Sequence, residues 1–129
     1  MRTEVTLLVQ VTALTGALWM PYMLNRIAVR GIGGTVGYPQ APKPLAPWAE
    51  RLRAAHVNAV ENLVVFAALV LAAQVEVIST SMTVLACNLY LWSRVVHAVA
   101  YTFAVPWVRT LAFCGGFAAQ MMLFWQLQA

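Results

Sequence analysis

Residues 57–73 read Val57-Asn58-Ala59-Val60-Glu61-Asn62-Leu63-Val64-Val65-Phe66-Ala67-Ala68-Leu69-Val70-Leu71-Ala72-Ala73. Glu61 is the only Asp, Glu, Lys or Arg between Arg53 and Glu76. A helix needs about 20 predominantly apolar residues to cross a hydrocarbon core of about 30 Å. Extended outward to 47–74, this run meets that requirement and is read as a membrane-spanning helix. A carboxylate near the middle of such a helix costs about 2.5 to 3.5 kcal/mol on insertion scales, so Glu61 must have a reason to be there.

Working outward, three further stretches have the same character. The chain is uncharged over 5–25, where Pro21 is expected to bend the helix near its end, and a third span over 79–104 carries Arg94 inside it. The fourth, over 107–127, is uncharged after Arg109. The composition agrees: 62% hydrophobic and 9% charged residues stand far from the roughly 25% charge of soluble domains. The reading is an all-α integral membrane four-helix bundle forming one domain over 1–129. The first helix is read as retained, because its apolar run is too long for a cleaved signal and lacks a small-x-small exit.

Between the first two spans, residues 31–44 (Gly31-Ile32-Gly33-Gly34-Thr35-Val36-Gly37-Tyr38-Pro39-Gln40-Ala41-Pro42-Lys43-Pro44) form a Gly and Pro cluster that no regular helix tolerates. The turns near 76–81 and 105–106 are short, so successive helices are expected to be antiparallel neighbours. Five of the eight basic residues (Arg26, Arg30, Lys43, Arg51 and Arg53) flank or occupy the long loop, and Arg109 falls on the same side. The positive-inside rule makes that side cytoplasmic and places both termini on the other. Trp19, Tyr22, Trp48 and Trp107 then read as anchors at the cytoplasmic boundary and Trp125 at the opposite one.

The net charge of +4 comes without a lysine-rich tail or a basic helix with interleaved aromatics, so nucleic acid is not an expected partner. Cys87 and Cys114 lie in apolar segments and read as small packing groups rather than nucleophiles. With two histidines and no second carboxylate on their face, the chain offers a poor metal coordination set. The run Cys114-Gly115-Gly116 with Ala118 and Ala119 reads as a close helix contact.

The polar residues inside the spans form two stripes. Arg51, Asn58, Glu61 and Asn62 share a face about 100° wide on the second helix, whereas Arg53 and His56 point away from it by about 140° and are expected to meet the loop or another subunit. On the third helix Arg94, His97 and Tyr101 recur at spacings of three and four residues. Glu61 and Arg94 lie at matching depths with opposite charge, so the sequence predicts that they pair. A network that only fixes helix register is one reading. The other is that the surplus polarity, and the surplus cation above all, suits a small anionic polar ligand.

The segment Arg53-Ala54-Ala55-His56-Val57-Asn58-Ala59-Val60-Glu61-Asn62, followed by Leu63-Val64-Val65-Phe66, resembles the MAPEG family. So does Arg94-Val95-Val96-His97-Ala98-Val99-Ala100-Tyr101, with a later Pro106 and Arg109. These are the membrane-associated proteins in eicosanoid and glutathione metabolism, which include microsomal glutathione transferases, leukotriene C synthase and prostaglandin E synthase. The resemblance implies a homotrimer of four-helix protomers with glutathione bound between neighbours near the cytoplasmic side. It also implies polar glutathione contacts from Asn58 and Glu61, an Arg94 paired with that Glu, and third-helix contacts from His97 and Tyr101. Arg26 or Arg30 is similar to the basic residue ending the first helix, and Arg109 to the catalytic arginine that holds the thiolate.

Several members carry an arginine where this chain has Ala54, so the grip on a glutathione carboxylate falls to Arg51 or Arg53, with His56 beside them in the motif. The chain looks most like the bacterial branch, which implies a bacterial inner membrane and does not imply eicosanoid substrates. The expected function is a glutathione-dependent transferase or peroxidase that takes lipophilic electrophiles from the surrounding membrane lipid. The alternative is a non-catalytic scaffold or accessory subunit that retains the fold.

Overall fold

The computed structural model describes residues 1–129 as helices joined by turns and one irregular loop. In chain order these are α1 (Thr3–Ala17), α2 (Trp19–Val36), α3 (Pro47–Val75), α4 (Ser81–Thr102) and α5 (Pro106–Gln128). The first two make a single membrane rod. Leu18 between them keeps right-handed helical angles (φ −64°, ψ −20°), and its N–H bonds Thr15 O at 3.4 Å instead of completing a regular turn. Pro21 explains the discontinuity, because it has no N–H to offer Ala17 and its ring crowds that carbonyl. The bend therefore falls mid-rod rather than near the end, since helix continues past Pro21 as far as Arg30, before a break at Gly31.

The Gly and Pro cluster is less uniformly irregular than its composition implies. Gly31 takes φ 71° and ψ 172°, a combination open only to glycine, and the chain resumes helical geometry over 32–36 before the loop proper. Residues 37–46 then lead to α3, which opens with Pro47 in its first turn, where a missing N–H does no harm.

Both short turns end helices in the same way. After α4, Val105 N bonds Ala100 O at 2.8 Å and Ala104 N bonds Tyr101 O at 3.3 Å, the paired bonds of a Schellman motif. After α3, Ile78 N bonds Ala73 O at 2.8 Å and Val77 N bonds Gln74 O at 3.3 Å. The residue that must turn left-handed is Ala104 (φ 58°) in one motif and Val77 (φ 59°) in the other, so neither turn carries the glycine that normally marks it.

The rod Thr3–Val36, α3 and α5 are each long and apolar enough to cross a membrane. At 22 residues, α4 reaches about 33 Å, but its apolar character is diluted by Thr83, Ser93, Arg94 and His97, all of them buried. It is the central helix and packs against α5, α3 and α1, so protein rather than lipid receives those groups. The result is an all-helical membrane bundle. Its main core joins Leu7, Leu8 and Val11 of α1 to Phe66 and Val70 of α3, Tyr90 of α4, and Ala119 and Leu123 of α5. Phe66 and Tyr90 stack with ring centroids 3.8 Å apart and planes 7° from parallel.

Glycines set the closeness of α4 to α5, as their spacing predicts. A Cβ at Gly115 would come within 2.7 Å of Ser93 Oγ, and one at Gly116 within 3.7 Å of the Tyr90 ring. Cys87 belongs to the core, whereas Cys114 is exposed on α5. At the end carrying the termini, Glu4 is buried and its Oε1 accepts from Ser79 Oγ at 2.8 Å and from Thr83 Oγ1 at 2.5 Å. Thr83 also completes a capping box with Thr80, so one carboxylate ties α1 to the start of α4. Tyr22 is not an interfacial anchor: it is buried with Leu45, Ala49 and Leu52 in a second, smaller core between α2 and α3.

Candidate functional site

The polar stripes of α3 and α4 face one another toward the end of the bundle where α4 turns into α5. Arg94, only 4% exposed, donates from Nη2 to Asn58 Oδ1 at 2.8 Å. The same nitrogen lies 3.3 Å from His97 Nδ1. A guanidinium has donors only, so in that contact Nδ1 accepts and the imidazole proton sits on Nε2. Asn62 Nδ2 donates to Asn58 O at 2.9 Å, and Gln120 Nε2 of α5 donates to Asn62 O at 3.2 Å. A chain of polar contacts thus crosses from α4 through α3 to α5, leaving Arg94 Nε buried without a partner.

Glu61 and Arg94 do not pair within the chain. Glu61 is exposed on the outer surface of α3, and Asn58 occupies the position on Arg94 that the sequence assigned to the carboxylate. Three residues advance a helix by about 300°, which swings Glu61 some 60° from Asn58. With Asn58 turned toward α4, that rotation is enough to carry Glu61 out of the protomer.

A half-open cavity of about 280 Å³ is lined by Asn58, His97, Tyr101, Arg109, Thr110 and Phe113. The Arg109 guanidinium carbon lies 4.7 Å from the centre of the Tyr101 ring. The His97 and Tyr101 rings meet edge to face at 5.6 Å. A smaller cavity of about 170 Å³ shares Tyr101 and Arg109 and adds Arg51, whose Nε donates to Thr102 O at 2.9 Å. Neither cavity has an acidic residue in its wall. Arg109 and Arg51 therefore present positive charge that no carboxylate of the same chain cancels. Asn58, His97, Tyr101 and Arg109 come together in the wall of the larger cavity. Thr110 and Phe113, which the sequence reading passed over, complete the wall, and Phe113 lies one helical turn beyond Arg109.

The remaining candidates lie elsewhere. His56 is on the far side of α3 from the cavity, with Nδ1 2.7 Å from Tyr22 Oη of α2, so it holds the second core rather than the site. Arg53 is exposed, and Arg26 is half-buried with Nε unpartnered. Arg30 donates from Nε to Lys43 O at 2.7 Å and lines a different pocket, against the loop. No three His, Cys, Asp or Glu side chains gather into a metal-ligating group.

The arrangement can hold an anionic molecule against Arg109 and Tyr101. Its residues fit glutathione, an anionic peptide. Polar groups line the wall, cations go unanswered, and Arg94 Nε is an orphaned donor beside Asn58. No curated protein matches the chain. The MAPEG family model does match it, over residues 9–129, and with nearly the whole length covered by an all-helical membrane bundle, the chain belongs to the MAPEG family.

Proposed function

We propose that the protein is a glutathione-dependent transferase or peroxidase acting on lipophilic electrophiles, with glutathione held near the cytoplasmic side between protomers of a trimer. The observation that carries this reading is the acid-free cavity in which Arg109 stands over Tyr101 beside Asn58 and His97. A cation next to a thiol favours the thiolate, and the thiolate is the nucleophile. Bound there, glutathione supplies that sulfur.

The chain's own residues do the rest. Arg109 stabilises negative charge on the sulfur. Tyr101 orients Arg109 through its ring. Asn58, held by Arg94, offers a fixed amide to the peptide, and Phe113 supplies an apolar wall toward the lipophilic partner. Arg51 takes the carboxylate grip that Ala54 cannot supply.

The assembly is supported by Glu61. Exposed on a 29-residue apolar helix, its carboxylate would face hydrocarbon at a cost of a few kcal/mol unless a neighbouring protomer covers it. A trimer that covers that face removes this cost. Isothermal titration of glutathione into the purified protein in detergent tests the reading, with micromolar to millimolar binding and turnover of a model aryl halide expected. Saturable binding without turnover of halide or peroxide would favour the accessory-subunit alternative, and no binding would remove glutathione from the reading.

A further inference from the structure

A groove of about 390 Å³ runs between α4 and α5. Leu89, Trp92 and Val96 of α4 and Leu111 of α5 wall it, and Ser93 and Gly115 lie at its base. No residue lines both this groove and the cavity of Arg109, and on α5 the two sets of lining residues point about 155° apart. From this geometry we propose that the groove binds an uncharged lipophilic carbonyl compound, whose oxygen accepts from the Ser93 hydroxyl. Binding there requires no glutathione, and α3 with its Glu61 takes no part in it.

The Ser93 hydroxyl is the observation that points to a ligand. Ser93 is only 8% exposed. On the same helix Thr83, Asn88, Arg94 and Thr102 each donate to an oxygen of the chain, and Ser93 Oγ has no such partner. A helical serine or threonine often returns its hydroxyl to the carbonyl four residues back, as Thr102 does to Ala98 O at 2.8 Å. Ser93 Oγ is turned to α5 instead, 2.7 Å from where a Cβ would stand on Gly115. Glycine at that position leaves the oxygen its place at the base of the groove. A hydroxyl taken out of water without a partner is costly, and hydrocarbon supplies none.

Depth and charge narrow the occupant. Ser93 lies about 2 Å along the axis from the midpoint of α4. The hydrocarbon core is about 30 Å thick, so the polar region of an ordinary phospholipid begins roughly 15 Å away, and its acyl chains bring no oxygen to this level. No charged side chain lines the groove, which leaves a carboxylate nothing to balance it. Trp92 stands at the same depth, 62% exposed, although tryptophan collects at the membrane boundaries. Its indole N–H can only donate. Two donors at one level suit an acceptor oxygen. A carbonyl supplies one outright, whereas an alcohol brings a proton that needs a partner of its own.

Infrared spectra of 2-undecanone, isotopically labelled at its carbonyl carbon and titrated into the full-length protein in detergent, test the assignment, with undecane as the apolar control. A hydrogen-bonded carbonyl stretches at lower frequency than one in hydrocarbon. The expected result is a saturable low-frequency band that is lost in Ser93→Ala, with ketone affinity about fivefold weaker and undecane binding unchanged. Ser93→Ala removes only an unpaired oxygen, so its melting temperature should not fall below that of the wild type. Leu111→Trp, on an exposed wall, keeps Ser93 but fills the groove and should abolish saturable binding. A wild type that shows no saturable band, a band that persists in Ser93→Ala, or undecane bound as tightly as the ketone overturns the proposal. So does ketone binding undiminished in Leu111→Trp. Displacement of the ketone by glutathione would place it in the Arg109 cavity and equally refute a separate site.

Discussion

Arg94 shows how a buried cation in a membrane helix is satisfied without a carboxylate. Its contacts are an amide oxygen at 2.8 Å and an imidazole nitrogen at 3.3 Å, both neutral acceptors. Hydrogen bonds to charged groups contribute about 1.5 to 3 kcal/mol. A double-mutant cycle of Asn58→Ala and Arg94→Gln, read by unfolding in detergent, is therefore expected to give a coupling in that range. Coupling near zero would mean that the contact contributes only geometry. Arg109 has a different task. Arg109→Ala is expected to slow conjugation at least tenfold while weakening glutathione binding less, because a cation beside the sulfur acts on the reacting thiolate, whereas Asn58→Ala should mainly weaken binding. Ultraviolet titration of the bound thiol checks the cause. Its pKa should rise in Arg109→Ala, and an unchanged value would take Arg109 out of the catalytic role.

At the scale of the elements, the two helix ends that lack glycine are natural points of strain. A left-handed residue with a side chain costs roughly 1 to 2 kcal/mol, and most when β-branched, as at Val77 (φ 59°). Val77→Gly is expected to raise the melting temperature in detergent despite the greater freedom glycine has when unfolded. Gly31→Ala should lower it by the equivalent of about 1 to 3 kcal/mol, because its backbone conformation is essentially closed to other residues. Nothing lies within 4 Å of a Cβ at Gly31, so the loss would report backbone conformation alone. A melting temperature unmoved by either substitution would contradict the backbone geometry of these turns.

For the whole molecule, the exposed carboxylate of Glu61 is the feature that the single chain leaves unresolved. An isolated protomer would place it against lipid; an assembly would bury it. Glu61→Lys is accordingly expected to shift the detergent-solubilised protein from trimer toward monomer, measured by light scattering on a sizing column, while the helical content by circular dichroism stays near that of the wild type. A wild-type protein that is already monomeric would refute the proposed assembly, and a Glu61→Lys trimer as stable as the wild type would show that the face around Glu61 is not its interface.

Much of this architecture could be read in the sequence because it depends on sums and periods along the chain. Hydropathy added over a span decides that 47–74 crosses a membrane, and spacings of three and four residues place Arg94, His97 and Tyr101 on one face whatever surrounds them. The packing role of Gly115 and Gly116 was legible for the same reason, since only small side chains let two helix backbones approach closely. A period gives angles within one helix, however, and says nothing of how that helix is rotated against its neighbours. That rotation comes from core packing, with Phe66 stacked on Tyr90 and Gly116 beneath the ring, and it turns Asn58 toward Arg94 and Glu61 away. It also gives His56 to Tyr22 and brings Thr110 and Phe113 into the cavity wall. Residues on the stripes were set by the chain alone; which of them meet was decided by the tertiary structure, where the fit of side chains between helices chooses among rotations that hydropathy cannot tell apart.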